Sequence, residues 1–238
     1  MDTAATFRTT QWSVVLTAQQ SDPALAHSAL EKLSRTYWTP LYAFVRRRGY
    51  STHDAQDLTQ DFFARLLQKN ALDQVDPAKG KFRSFLLASM NHFLANEWDK
   101  ANAQKRGGGR QLFPIDLEVA ESLYTADFTD NETAEKCLDR RWATTVLDQV
   151  LQRLQDDYAR EQKADLFEQL KPTLAGTRES EAYSRIAGRL GMTDGAVKTA
   201  VHRLRHRYRE LLRARIAETV ASPAEIEEEL RSLFAAVQ

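Results

Sequence analysis

Lys198, Thr199, His202, Arg203 and Arg205 recur at helical spacing within the segment YSRIAGRLGMTDGAVKTAVHRLRHRYRELL. Cationic and hydrogen-bonding side chains gathered on one face are suited to holding phosphates. Between Arg185 and Arg215 there are nine Lys or Arg residues and two acids, an excess of seven positive charges. The whole chain is neutral, with 33 Lys+Arg against 33 Asp+Glu. Charge concentrated this way in a neutral chain points to a polyanion. A second set, Asp54, Asp57 and Asp61 with His53, has the residue types of a metal site. Nothing else converges on it: there is no phosphate-cradling glycine motif, no second His/Glu pair and no nucleophile elbow. Cys137 is the sole cysteine, so neither an intrachain disulfide nor a cysteine-based metal cluster can form. These absences argue against an enzyme and imply no metal and no cofactor.

The elements that must carry these residues are helices. Apolar residues recur at helical spacing, strand-like alternation is nearly absent, and the chain has only 9 Gly and 6 Pro. The fold class expected is all-α: two small helical domains, an acidic linker and a helical tail. The first block covers about 8–106. It starts with helices near 24–37 and 40–48, separated at Pro40, the second stopped by Gly49. Ser51 is the N-cap of the next helix, with Asp54 as its capping-box partner. There Ala55, Leu58, Phe62 and Leu66 form an apolar stripe, with Phe63 and Leu67 beside it, and the acids lie opposite. A helix over about 82–105 holds Phe85, Leu86, Met90, Phe93, Leu94 and Trp98. Residues 107–133 show no sustained period and are acidic, which reads as a linker.

The second block covers about 134–216, and its last two helices have the grammar of a helix-turn-helix. Ile186, Ala187 and Leu190 face inward on the first; Gly191 supplies the turn's positive φ. Thr193 or Asp194 caps the second, whose inward face is Val197, Val201 and Leu204. A final amphipathic segment, about 223–236 within a tail over 217–238, begins at Ser222-Pro223 and is acidic. No apolar run reaches membrane-spanning length and no secretory signal is visible. A cytoplasmic protein with no membrane partner is expected.

Taken together, these segments resemble the extracytoplasmic-function (ECF) sigma factors of bacterial RNA polymerase. DAQDLTQDFFARLL is similar to the polymerase-binding helix of region 2. FRSFLLASMNHFLANEWDKANAQKR resembles the promoter-melting helix after it, and the basic hairpin resembles region 4. The resemblance implies a transcription initiation factor whose partners are promoter DNA and core RNA polymerase, at its largest-subunit clamp and its flap. Asp54, Asp57, Gln60 and Asp61 would contact the clamp. Arg83, Asn91, His92, Asn96 and Lys100 would serve the −10 element, with Lys79, Lys81, Lys105, Arg106 and Arg110 adding charge nearby. Phe85 and Phe93 read as core; Trp98 is open between core and stacking platform. Lys198, Thr199, His202 and Arg203 would sit at or near base edges of the −35 element, while Arg185, Arg205 and Arg207 would hold phosphates, which position without specifying. The linker would thread the RNA exit path or act as a plain tether.

The chain departs from the family pattern in places. Gln56 stands where an acid is common, the loop 70–81 is long, and the tail is additional. Such departures suggest control by an anti-sigma partner or by a Ser/Thr kinase acting at Thr59 or Thr52, where phosphate would add roughly 1.5–2 negative charges to the acidic face. The tail would either cover the DNA face of the second block or be inert. A stand-alone DNA-binding regulator is the competing reading.

Overall fold

The computed structural model describes residues 23–66, 81–103, 117–126, 132–175 and 180–238. Among them every regular element is helical: α1 (Pro23–Arg47), α2 (Thr52–Leu66), α3 (Phe82–Ala103), α4 (Leu117–Ala126), α5 (Ala134–Arg160), α6 (Ala164–Leu170), α7 (Ser180–Leu190), α8 (Asp194–Ala217) and α9 (Ile226–Ala236). Two short 3₁₀ turns, Lys171–Ala175 and Pro223–Glu225, follow α6 and precede α9. The all-α expectation holds. The chain divides into two compact units, one of residues 1–145 with 216–238, the other of 146–215.

In the first unit, α1 continues through Pro40 instead of breaking there. Proline within a helix costs about 3 kcal/mol. Around it Tyr37, Trp38, Leu41, Tyr42, Ala43, Phe44 and Val45 are all buried. Large apolar side chains return roughly 1.5–3 kcal/mol each on full burial, so packing outweighs the lost bond. Trp38 and Tyr42 stack across the proline, with ring centroids 5.0 Å apart and planes at 9°. Gly49 ends the turn after α1 at φ 92°, a left-handed conformation that a Cβ disfavours. Ser51 then starts α2 as expected: its Oγ accepts from the Asp54 N–H at 3.1 Å and donates to the Asp54 carboxylate at 2.7 Å. Ala55, Phe62, Phe63 and Leu66 of α2 pack with Phe82, Leu86, Met90, Phe93 and Leu94 of α3 in the buried core. Phe62 meets Phe93 edge-on at 5.7 Å.

Two corrections belong to this unit. The span read as an aperiodic linker contains α4, which buries Ala120 and Tyr124. Its Glu121 carboxylate accepts from Arg46 Nη2 at 2.7 Å and Nε at 3.1 Å, and from the Tyr42 hydroxyl. Arg46 also lies 5.1 Å over the Tyr124 ring. The tail is not a separate extension. Residues 216–238 belong to the first unit, with Val220 and Leu233 fully buried. The start of α5 is also counted there, Trp142 being buried.

The second unit centres on Leu154, Tyr158, Phe167, Leu170, Ile186, Ala187, Val197, Val201 and Leu204. Gly191 turns the chain at φ 64°, and the Met192 N–H closes back on the Ala187 carbonyl at 2.9 Å. Thr193 is the cap: its Oγ1 accepts from the Ala196 N–H at 3.2 Å, and its carbonyl from the Val197 N–H at 3.0 Å.

Candidate nucleic-acid and protein interfaces

On α2 the acidic face is narrower than the residue list expected. Asp54 is exposed, and Asp57 pairs with His53 one turn back at 3.1 Å. Asp61 is half-buried; burial raises its carboxyl pKa, with Glu97 and Asp57 adding to the rise and Arg65 opposing it. Gln60 is turned inward at 4 % exposure and is not presented to a partner. Thr59 is wholly buried, its hydroxyl donating to the Ala55 carbonyl at 2.7 Å, so a kinase cannot reach it in this conformation. Both follow from the period: Thr59 lies four residues after Ala55 and Gln60 three before Phe63, on the stripe that packs into the core. Leu58, placed on that stripe from the sequence, is only partly buried. Thr52, at the helix start, is partly exposed and lies beside the Tyr42 and Glu121 pair, acting to lower the pKa of both.

On α3 His92, Asn96 and Trp98 are exposed; His92 and Asn96 share a face, and Trp98, two residues past Asn96, lies on another side of the helix. Asn96 Nδ2 and His92 Nδ1 are 3.1 Å apart, and Trp98 is 63 % exposed. That exposure decides the open question about Trp98: it is a surface ring. Phe93 is core, at 6 % exposure, under the Arg65 guanidinium 4.9 Å away. Phe85 is partly buried. Asn91 is engaged, accepting from Arg48 Nη2 at 2.7 Å, and the same Arg48 group pairs with Glu135 at 3.1 Å. Arg83 departs furthest from expectation. It is 8 % exposed, bonded to Asp139 at 2.7 Å and Glu229 at 3.4 Å, and stacked 4.3 Å over the Trp142 ring. A guanidinium so enclosed is not offered to DNA. Lys100 falls in the last turns of α3, its side chain outside the described residues, as are Lys79, Lys105, Arg106 and Arg110.

In the second unit, Lys198, Thr199, His202 and Arg203 are exposed together on α8, and Arg185 is exposed on α7. Thr199 donates its hydroxyl to the Gly195 carbonyl at 3.0 Å, which leaves its oxygen able to accept. Ser184 ties the two helices by donating to Asp194 at 2.8 Å. Arg205 and Arg207 are spent inside the unit. Arg205 donates to the Thr173 carbonyl from Nη2 at 2.6 Å and Nε at 3.2 Å. Arg207 pairs with Glu161 at 2.6 Å and Asp157 at 3.2 Å. Its hydrogen bond, with that of Lys163, pulls the Glu161 carboxyl down to about 2. No local signal in the sequence marks this pairing, because Glu161 stands 46 residues before Arg207.

The described helices include none long and apolar enough to cross a membrane. Residues 33–104, covering most of α1 and all of α2 and α3, match the family model for Sigma-70 region 2. No curated protein and no solved structure gives a match. The match covers less than half of the chain and supports a sigma-70 role in transcription initiation.

Proposed function

We propose that the chain is a sigma factor of the ECF type, working in the cytoplasm, with two DNA-reading parts. The observation that carries the proposal is the Sigma-70 region 2 match over 33–104, in the same chain as the exposed basic face of α8. In this reading Asp54 and Asp57, with Asp61 at the edge, dock on the clamp of core polymerase. His92, Asn96 and Trp98 meet unpaired bases of the −10 element; an exposed indole offers a π-face worth roughly 1–3 kcal/mol per stacked base, enough to offset much of the cost of unstacking. The helix pair α7–α8 is a helix-turn-helix. Lys198, Thr199, His202 and Arg203 enter the major groove at the −35 element, and Arg185 holds a phosphate.

Control by a kinase, in this reading, falls on Thr52 rather than Thr59. A phosphate on Thr52 would stand beside Glu121 and within the field of Arg46, and would compete for the guanidinium that fixes α4. Transcription reconstituted with core polymerase on genomic templates, followed by start-site mapping, tests the function. Discrete starts that depend on the chain are expected. No transcript with native or kinase-treated protein would sink the reading, and tight specific operator binding by the free chain would favour a stand-alone regulator instead.

A further inference from the structure

Lys81 and Arg83 stand at the start of α3, and both are held by carboxylates of α9. Lys81 Nζ lies 3.0 Å from Glu228 and 2.9 Å from Glu229. Arg83 reaches Glu229 at 3.4 Å, and the Glu229 side chain is 0 % exposed. Between them the Phe82 N–H, first in the helix, donates to the Thr219 carbonyl at 3.3 Å. We propose that α9 is an intramolecular competitor of DNA: Glu228 and Glu229 sit on Lys81 where a backbone phosphate would sit, and their departure frees that charge for nucleic acid. The proposal rests on the reading above, in which α3 meets the opened promoter.

The chemistry of the contact carries it. A lysine beside an arginine at a helix N-terminus is a setting for an anion, and here the anion is supplied by the chain itself. The ionic part of the contact is cheap to exchange. A carboxylate taken out of water for an ion pair gives up its hydration, so the pair returns little net stability. Arg83 does not change hands, because Asp139 and the Trp142 ring hold it independently of α9. Lys81 bonds to Glu228 and Glu229 of α9, with Asp139 acting on it through charge alone, so its charge is the one that moves. The detached segment has little to keep it folded, since an eleven-residue helix is marginal alone. Release is therefore an opening of α9 that also uncovers Leu233, so it is opposed by that burial and proceeds only where a polyanion replaces the carboxylates by mass action.

The test is the affinity of the full chain for a forked DNA, duplex with single-stranded arms, followed by fluorescence anisotropy from 50 to 200 mM salt. The Glu228 side chain is 62 % exposed, so E228Q leaves the fold intact. We expect E228Q to tighten binding about threefold, and E228Q/E229Q about tenfold with a salt slope steeper by about 0.7–0.9, one further phosphate contact. Adding K81Q should cancel both gains. E227Q, the same charge change one residue away, should match neither gain. Forked DNA bound equally well by wild type and E228Q/E229Q, or a gain that survives K81Q or is matched by E227Q, overturns the competitor role while leaving the promoter reading intact. If no variant binds forked DNA, with or without core polymerase, the promoter reading falls and the proposal with it.

Discussion

Arg203 and Arg205 are two residues apart and chemically identical, yet the structure gives them different work. Arg203 is exposed, whereas Arg205 is bonded through two nitrogens to the Thr173 carbonyl. Under the proposed function, Arg203→Ala should lower transcription from a −35-dependent promoter by about 5- to 150-fold, the range of a lost base-edge pair of roughly 1–3 kcal/mol, without changing the melting temperature. Arg205→Ala should do the reverse: a lower melting temperature and an unchanged salt slope of DNA binding. Parallel melting curves and promoter titrations separate the two. Glu161 offers a pH test in the same unit. Its folded pKa lies below the ordinary 4.5, at about 2, because Arg207 and Lys163 hydrogen-bond the carboxylate. A depressed carboxyl contributes stability above its unfolded pKa and loses it as pH falls through the folded one. Melting of the chain followed from pH 5 to pH 2 should thus fall less steeply in Glu161→Gln than in wild type.

At the scale of elements, α4 shows how a helix can hide in an acidic stretch. Of its ten residues Ala120 and Tyr124 are buried while Val119 and Leu123 are exposed, so its apolar side chains do not fall on one face and give no clean period. What fixes the helix is long-range: Glu121 receives Arg46 and Tyr42 of α1. These partners change one another's ionisation. The Glu121 pKa is lowered chiefly by the Arg46 hydrogen bond, and the Tyr42 pKa is raised by burial and by Glu121. Charge-assisted bonds of this kind contribute roughly 1.5–3 kcal/mol. Glu121→Gln should release α4, seen as faster amide hydrogen exchange over 117–126 and a melting temperature lower by several degrees. The wild-type protection should itself fade as pH drops below the ordinary carboxyl range, since a lowered pKa means stability lost on the acid side.

For the molecule as a whole, the last helix matters most. Residues 216–238 belong with the first unit, where Val220 and Leu233 are fully buried. Burying two such side chains is worth up to roughly 3–6 kcal/mol, against a domain stability of about 5–15 kcal/mol. Truncation after Ala217 should therefore destabilise the first unit rather than simply unmask DNA binding. Chemical denaturation should show a transition for that unit at lower denaturant, with the Val146–Arg215 unit little changed. This is also why the competitor role is better tested by single carboxylates than by deletion.

The sequence by itself determined the helices with sustained period and the ends that local chemistry dictates. The Ser51 cap, a cap at Thr193 or Asp194 and the glycines at positions 49 and 191 are legible because each is settled within a turn or two of backbone. The inward stripe Val197, Val201, Leu204 and the exposed set Lys198, Thr199, His202, Arg203 are legible because a helix has a fixed period and the two sets lie on opposite faces. Only the tertiary structure decided which charges are spent internally. Arg83, Arg205 and Arg207 look in sequence like any other basic residue, but each meets a partner far along the chain: Glu229, Thr173 and Glu161. Thr59 and Gln60 look polar and are buried by a neighbouring stripe. The continuous α1 through Pro40, the helix at 117–126 and the place of the tail were decided the same way. Local propensities are worth about 1 kcal/mol per residue, and burial across distant segments outweighs them.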